Sequence, residues 1–561
     1  MDFKLFLTYN YNNHYQMECK SMKKRISLIL IILTMILILF TFNAAAEEKY
    51  LLIHVDGISS KIFFSELEQG NLPNLAEYFA EENMIEHGIT YFPPSTQVVI
   101  SRIRESKKIS EGELLDWDRY DEETETGKGK ISVFNEMRSS IDRRARSNFI
   151  YGYPALSNLA PAAMLNLADL IDKYGLVEFY YFSTDTYGHI WGESSQLNKL
   201  YQFDRSFGEA AKDFPEDLNI IIYSDHGMVF GEKVSFKDQL LEELDSKIAN
   251  YSYPNIYLNN NNDQIDKDQL SREIARSTPL DYVFYQKNEN EIIGYHPQSK
   301  ITFKSKGDKI AYLYEGEDTF NYYNKGYQGE FLNEDQWLEL TYDSYFPFAP
   351  YNITAMFKNE FVGDLLTVLN SPKFMGGGYV REGSHLGLTA DSMTVPVLVR
   401  GPELEKFYGR DFIRLDSLFE ELAIKNYESN TPNKDDNHLS LAFNALSDGD
   451  WKLNYDLSPK YRVKFSGELN SFNEQSFWAS YDVYSGYISR LWLGAGLSNL
   501  KRDDSKAMAK MRLELKVRNI LLEYKNYSSQ DSEINFLYSI ADNLALKADR
   551  DFDFFGFRYN F

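Results

Sequence analysis

The chain carries a single cysteine, Cys19, and it lies upstream of the expected start of the mature protein. Disulfides and thiol chemistry are therefore excluded from everything that follows. Basic charge is also scarce. With 59 Lys and Arg against 83 Asp and Glu, the formal net charge of −24 argues against non-specific nucleic-acid binding. It does not forbid phosphate-bearing substrates, because bound cations can supply positive charge locally. One long apolar run stands out, Ile26 to Phe42. Met22-Lys-Lys-Arg25 precedes it and Asn43-Ala44-Ala45-Ala46-Glu47 follows, the secretory pattern of basic start, apolar core and small-residue exit. Cleavage is expected after Ala46, and residues 1–21 read as an upstream extension. The competing reading is an uncleaved membrane anchor. Either way the protein is expected in the cell envelope, in the periplasm or at the outer membrane.

What the chain does have is three short apolar runs that end on ionisable residues. Lys49-Tyr-Leu-Leu-Ile-His-Val55 ends on Asp56-Gly57. Phe179-Tyr-Tyr-Phe-Ser183 is followed by Asp185-Thr-Tyr-Gly-His189, and Leu218-Asn-Ile-Ile-Ile-Tyr223 by Ser224-Asp225-His226-Gly227. Continuous β-branched and aromatic runs read as parallel strands covered on both faces. Ligands bind outside the carboxyl ends of such strands, so these Asp and His residues point to one sheet edge. An isolated Asp-Gly is ordinarily a turn, and an isolated Asp-x-x-x-His is as easily a surface pair. Adjacent Asp and His at a buried strand end are harder to explain without a purpose, since burying them costs free energy. Mixed imidazole and carboxylate donors suit zinc, with manganese or iron as harder alternatives.

The ordered set Val55-Asp56-Gly57, Phe92-Pro-Pro-Ser-Thr96, Asp185-x-x-Gly-His189, Ser224-Asp225-His226-Gly227 and Gly383-Ser-His385 resembles the alkaline phosphatase superfamily. Its type I phosphodiesterase/nucleotide pyrophosphatase branch is the nearest likeness. Gly70-Asn-Leu-Pro-Asn-Leu75 and Met393-Thr-Val-Pro-Val397, leading to Gly401-Pro402, extend the resemblance over roughly residues 48 to 425. It implies a mostly parallel α/β sheet with helices on both faces, and two divalent metal ions, zinc or manganese. By the resemblance, Asp185, His189 and His385 hold one ion, while Asp56, Asp225, His226 and Thr96 hold the other. Thr96 would be the nucleophile, with Ser95 as the alternative. A threonine hydroxyl is weak at neutral pH, and metal coordination supplies the activation it needs. The implied activity is hydrolysis of phosphoric esters of small-molecule, lipid or nucleotide type. A phosphotransferase of the same superfamily and a non-catalytic envelope protein are the competing readings.

The chain departs from the family twice. Gln97-Val-Val-Ile-Ser-Arg-Ile103 runs into the charged segment Arg104 to Lys130 where relatives continue to Thr-Gly, and His385 is followed by Leu386 rather than Gly. No Cys/Ser-x-Pro-x-Arg motif lies near residue 96, which sets the sulfatases aside.

At 561 residues the chain has room for two or three domains. The hydrolase domain is expected over 47–425, with a subdomain inserted at about 234–370. There Asn255–Asn262 and Lys300–Lys304 alternate like exposed strands and Asp268–Arg276 has helical spacing. His54 and His296 read as core or surface histidines. Residues 426–447 read as a linker. From 448 to 561 the period becomes two: Tyr461, Val463, Phe465 and Leu469, then Met511, Leu513, Leu515 and Val517, then Ile534, Phe536, Tyr538 and Ile540. About eight amphipathic strands ending on Phe561 resemble an outer-membrane β-barrel, a soluble β-sandwich being the alternative.

Overall fold

The computed structural model describes residues 48–105 and 160–421, apart from 236–239, 241–246, 260–264, 360 and 379. It also describes two short strands at 119–121 and 126–128, and ten strands between 438 and 560. The expected signal segment lies outside the described residues. Among the described residues no helix is long and apolar enough to cross a membrane.

The strands β1 (Tyr50–Val55), β2 (Met84–Ile89), β3 (Leu176–Tyr181) and β4 (Asn219–Tyr223) open the central sheet. An inserted set follows: β5 (Ile248–Ser252), β6 (Asn255–Leu258), β7 (Tyr282–Asn288), β8 (Glu291–His296), β9 (Ser299–Lys306), β10 (Lys309–Gly316) and β11 (Leu365–Val368). The chain then returns to the central sheet through β12 (Thr394–Arg400) and β13 (Phe412–Arg414). The central order is β13-β2-β12-β4-β1-β3. β1 runs parallel to both β3 and β4, while β12 is antiparallel to β4 and β2.

Alternation along β1 shows why the sheet is buried on both sides. Tyr50 and Leu52 enter one core cluster, and Leu51, Ile53 and Val55 enter another. β4 divides in the same way, Ile221 and Tyr223 against Ile220 and Ile222. At roughly 25 cal/mol per Å² of apolar surface, a strand buried on both faces is stabilised about twice as much as one with a solvated face. The carboxyl ends of β1, β3 and β4 consequently share one edge.

The inserted strands form their own seven-stranded sheet, β10-β9-β8-β7-β11-β6-β5. Asn255–Leu258 is buried throughout, not an exposed strand as its alternation suggested. Its Ile256 and Leu258 pack into a third cluster with Leu270 and Ile274. Those two belong to the helix Lys267–Ser277, where helical spacing was expected.

The C-terminal strands are β14 (His438–Asn444), β15 (Trp451–Leu457), β16 (Val463–Asn470), β17 (Gln475–Ser485), β18 (Ser489–Ser498), β19 (Lys506–Val517), β20 (Ile520–Tyr527), β21 (Gln530–Ala541), β22 (Leu544–Asp549) and β23 (Phe555–Asn560). They pair antiparallel in sequence order, and β14 also pairs with β23, which closes the sheet on itself. There are ten strands rather than about eight, and β14 falls inside the stretch read as a linker. Leu439, Leu441 and Phe443 alternate there, a pattern too short to weigh until β23 supplies its partner.

On this closed sheet the charges face inward. Lys510, Glu523, Lys525, Asn535 and Lys547 are buried, while Ile520, Phe536 and Tyr538 are about half exposed on the outer face. Glu523 is the hub: Arg512 Nη2 lies at 2.7 Å, Lys525 Nζ at 3.3 Å, and Asn535 Nδ2 donates at 3.1 Å. Part of the outer face, Met511, Leu513 and Leu522, packs against the second core cluster of the α/β domain.

Candidate metal centre

Asp56 follows β1 directly, and Gly57 (φ +72°) turns the chain away. Only glycine adopts this left-handed conformation without cost, and a Cβ here would stand 2.9 Å from Asp185 Cβ. The glycine therefore lets two carboxylates approach. β3 feeds the helix α1 (Ser183–Trp191), which carries Asp185 and His189 one turn apart on one face. β4 feeds Ser224-Asp225-His226. There Ser224 Oγ accepts from Ile58 N at 2.9 Å and Asp225 Oδ1 accepts from Gly57 N at 3.3 Å, which ties the ends of β4 and β1 together. His385 arrives on the loop after β11. Arg381 and Glu382 donate their backbone N–H groups to His189 O, and Ser384 pairs with Val229. Leu386 takes φ +104°, a conformation that favours glycine, while its side chain packs on the third cluster.

Thr96 opens the helix α2 (Thr96–Glu105). Ser95 stands at the cap of this helix, its O accepting from Val98 N and Val99 N. Thr96 Oγ1 lies 3.4 Å from Asp56 Oδ1 and 3.2 Å from His226 Nε2. The structure thus brings Asp56, Thr96, Asp185, His189, Asp225, His226 and His385 together, with His189 Nε2 3.2 Å and His385 Nε2 3.8 Å from Asp185 Oδ1.

The three imidazoles share one arrangement. His189 Nδ1 is 2.7 Å from Gly383 O, His226 Nδ1 is 3.0 Å from Gly227 O, and His385 Nδ1 is 2.6 Å from Pro94 O. A carbonyl only accepts, so each Nδ1 carries a proton and each Nε2 is the nitrogen that can offer a lone pair to a cation. Orientation of metal-binding histidines by a carbonyl on the far nitrogen is the usual pattern at metal sites. Asp185 Oδ1 and Asp225 Oδ2 are buried without a hydrogen bond. Two orphaned carboxylate oxygens facing imidazole lone pairs fit divalent cations and little else.

Two tight donor groups emerge, Asp185 with His226 and His385, and His54 with Asp56 and Asp225. The partition differs from the expected one. His226 stands between both groups, its ring stacked on His385 at 3.7 Å and its Nε2 3.5 Å from Asp56 Oδ1. His54 is a feature the sequence reading missed, with Nε2 3.0 Å from Asp225 Oδ1. His296, by contrast, sits on β8 beside Tyr282, away from this cluster.

The electrostatics are those of a crowded acidic site. Burial, then the Asp225 and Asp185 charges, push Asp56 well above the usual carboxylate range. Burial also acts to raise Asp225, but the neighbouring His226 and His54 outweigh it and hold the carboxyl low. Burial, with His226 and His189 adjacent, drives His385 far down, keeping it neutral as a ligand must be.

Residues 87–292 match the model of the family "Type I phosphodiesterase / nucleotide pyrophosphatase". The matched stretch contains Thr96, Asp185, His189, Asp225 and His226; Asp56 and His385 lie outside it. No curated protein matches the sequence. Among solved structures, the chain is similar to murine ectonucleotide pyrophosphatase/phosphodiesterase 5 at 14% identity and TM-score 0.43, over 69% of this chain and 97% of that one. It is similar to phosphonoacetate hydrolase from Sinorhizobium meliloti, in complex with phosphonoformate, at 13% identity and TM-score 0.39, over 68% and 96%. A mutant of the alkaline phosphatase PafA gives 10% identity and TM-score 0.43, over 68% and 97%.

Proposed function

We propose that the protein is a secreted, two-metal phosphoric-ester hydrolase with Thr96 as nucleophile, acting on diesters or pyrophosphates of small-molecule, nucleotide or lipid type. The observation that carries this reading is a buried hydroxyl at a helix N-terminus, flanked by three carboxylates and three imidazoles oriented through their far nitrogens.

Asp56, Asp225, His226 and Thr96 would hold one cation, and Asp185, His189 and His385 the other. Bound cations of this kind supply positive charge that lowers a hydroxyl pKa and neutralises phosphoryl oxygens. The imidazole-rich donor set favours zinc, with manganese as the alternative. The chain's own contribution is placement. Thr96 Oγ1 attacks phosphorus, the bond to the leaving oxygen breaks, and a phosphothreonine forms. Water then displaces Thr96 and restores the hydroxyl. The N-terminus of α2, where Thr96 sits, would favour negative charge on a phosphoryl group bound there. Preference for diesters rests on the family match over 87–292.

The C-terminal strands are read as an outer-membrane barrel that anchors the enzyme. Support comes from the inverted pattern of buried Lys and Glu against exposed Ile, Phe and Tyr, opposite to that of a soluble core.

The test is turnover of bis-p-nitrophenyl phosphate and p-nitrophenyl phosphate by the full chain. Chelator is expected to abolish hydrolysis and zinc to restore it, with the diester cleaved faster. Full activity in excess chelator would refute the two-metal reading, and much faster monoester cleavage would refute the diester preference.

A further inference from the structure

Three rings lie directly beneath the carboxylates, and the ligand set proposed above uses none of them. His54 stands opposite Tyr180 in the β1–β3 pairing and opposite Tyr223 in the β1–β4 pairing, so the three form one row across adjacent strands. They stack: His54 is 4.5 Å from Tyr180 at 18° and 5.2 Å from Tyr223 at 8°. Side chains two residues apart share a strand face, so this row sits below Asp56 and Asp225.

Each end of the pair reaches one carboxylate. Tyr180 Oη donates to Asp56 Oδ2. His54 Nε2 stands 3.0 Å from Asp225 Oδ1 as an ion-pair contact without hydrogen-bond geometry, and that oxygen accepts from His226 N at 3.0 Å and Gly57 N at 3.3 Å. The other oxygens, Asp56 Oδ1 and Asp225 Oδ2, lie 3.5 and 3.4 Å from His226 Nε2, and Asp56 Oδ1 also faces Thr96 Oγ1 at 3.4 Å. The lower oxygen of each carboxylate is occupied, and the upper oxygen of each faces the shared imidazole.

We infer that His54 and Tyr180 are positioning residues that lock Asp225 and Asp56 as single-oxygen ligands of one cation, with Tyr223 fixing the plane of the His54 ring. An unrestrained carboxylate rotates and exchanges one-oxygen for two-oxygen binding. A donor on the far oxygen removes that freedom before the cation arrives. Partners of this kind are worth about 10–100-fold in metal affinity. The inference deepens the two-metal reading above and rests on it.

The experiment is a zinc titration of the metal-free full chain against a chromophoric chelator, for wild type, Tyr180→Phe and His54→Phe. Both substitutions keep a ring in the stack; Tyr180→Phe removes the hydroxyl and His54→Phe the two ring nitrogens. Wild type is expected to bind two zinc ions. Each variant is expected to keep one at wild-type affinity and weaken the other about 10–100-fold, while the melting temperature of the metal-free protein stays unchanged. Wild-type affinity at both ions in both variants would overturn the inference, as would equal weakening at both ions. Outright loss of one ion in His54→Phe with no change in Tyr180→Phe would make His54 a ligand and overturn it too. Should His54→Phe fail to fold, Tyr180→Phe, one hydroxyl smaller, decides the same question at Asp56. Wild type that binds no zinc would sink the two-metal reading itself, a different failure.

Discussion

Gly57 is the smallest residue at the site and one of the least replaceable. Its positive φ costs an L-residue roughly 1–2 kcal/mol, and an added Cβ would meet Asp185 at 2.9 Å. Gly57→Ala is therefore expected to lower stability by about that amount and to push Asp185 away from Asp56, reducing zinc content. Urea melts and metal analysis of the variant check both; unchanged zinc content would contradict the geometry. The six charged ligand candidates were legible in the sequence because buried runs seldom end on Asp and His without a purpose. His54 was not legible in that sense. Its partners Tyr180 and Tyr223 are more than a hundred residues away, and only strand register brings the three together. Thr96 was legible as a hydroxyl after two prolines, but its place 3.4 Å from Asp56 and 3.2 Å from His226 depends on the fold.

Among the elements, the inserted sheet shows how a polar residue can be structural. Asp268 accepts from Tyr285 Oη at 2.8 Å and Tyr295 Oη at 2.6 Å, and Arg272 Nη2 lies at 2.9 Å. Burial acts to raise its pKa, but the Tyr295 and Tyr285 hydroxyls and Arg272 win and hold the carboxyl below its ordinary value. A depressed folded pKa means that the unfolded chain binds more protons. The stabilisation is complete above the unfolded value, about 3.9, and is lost as pH falls through the folded one. Asp268→Asn should accordingly melt below wild type near pH 7, with the gap narrowing as pH drops below about 4. A gap that is constant with pH would show that the carboxylate charge does not matter. Helical spacing at Asp268–Arg276 was readable from the sequence. The burial of Asn255–Leu258 was not, because it depends on the helix that packs over it.

Taken as a whole, the molecule joins the sheet that carries the candidate metal centre to a closed one. Deleting Phe552–Phe561 removes β23, which pairs with both β14 and β22, and would leave two unpaired strand edges. Unpaired backbone is intolerable in lipid. The full chain expressed in a diderm host is therefore expected in the outer-membrane fraction, and the deletion variant is not. A full-length protein found wholly in the soluble periplasm would instead make the packing of Met511, Leu513 and Leu522 on the α/β core the functional arrangement. The alternation of these strands was plain in the sequence. Which face turns inward became evident only once Glu523 was seen to gather Arg512, Lys525 and Asn535.

The most direct test of the central claim compares turnover of bis-p-nitrophenyl phosphate by zinc-loaded wild type and Thr96→Ala, with zinc content measured on the same samples. In the proposed mechanism Thr96 is one donor among several to its cation but the only nucleophile. The account predicts near-equal zinc content and a loss of kcat of about a thousand-fold or more in the variant, as expected when a covalent nucleophile is removed. Wild-type turnover by Thr96→Ala, with its zinc intact, would contradict it.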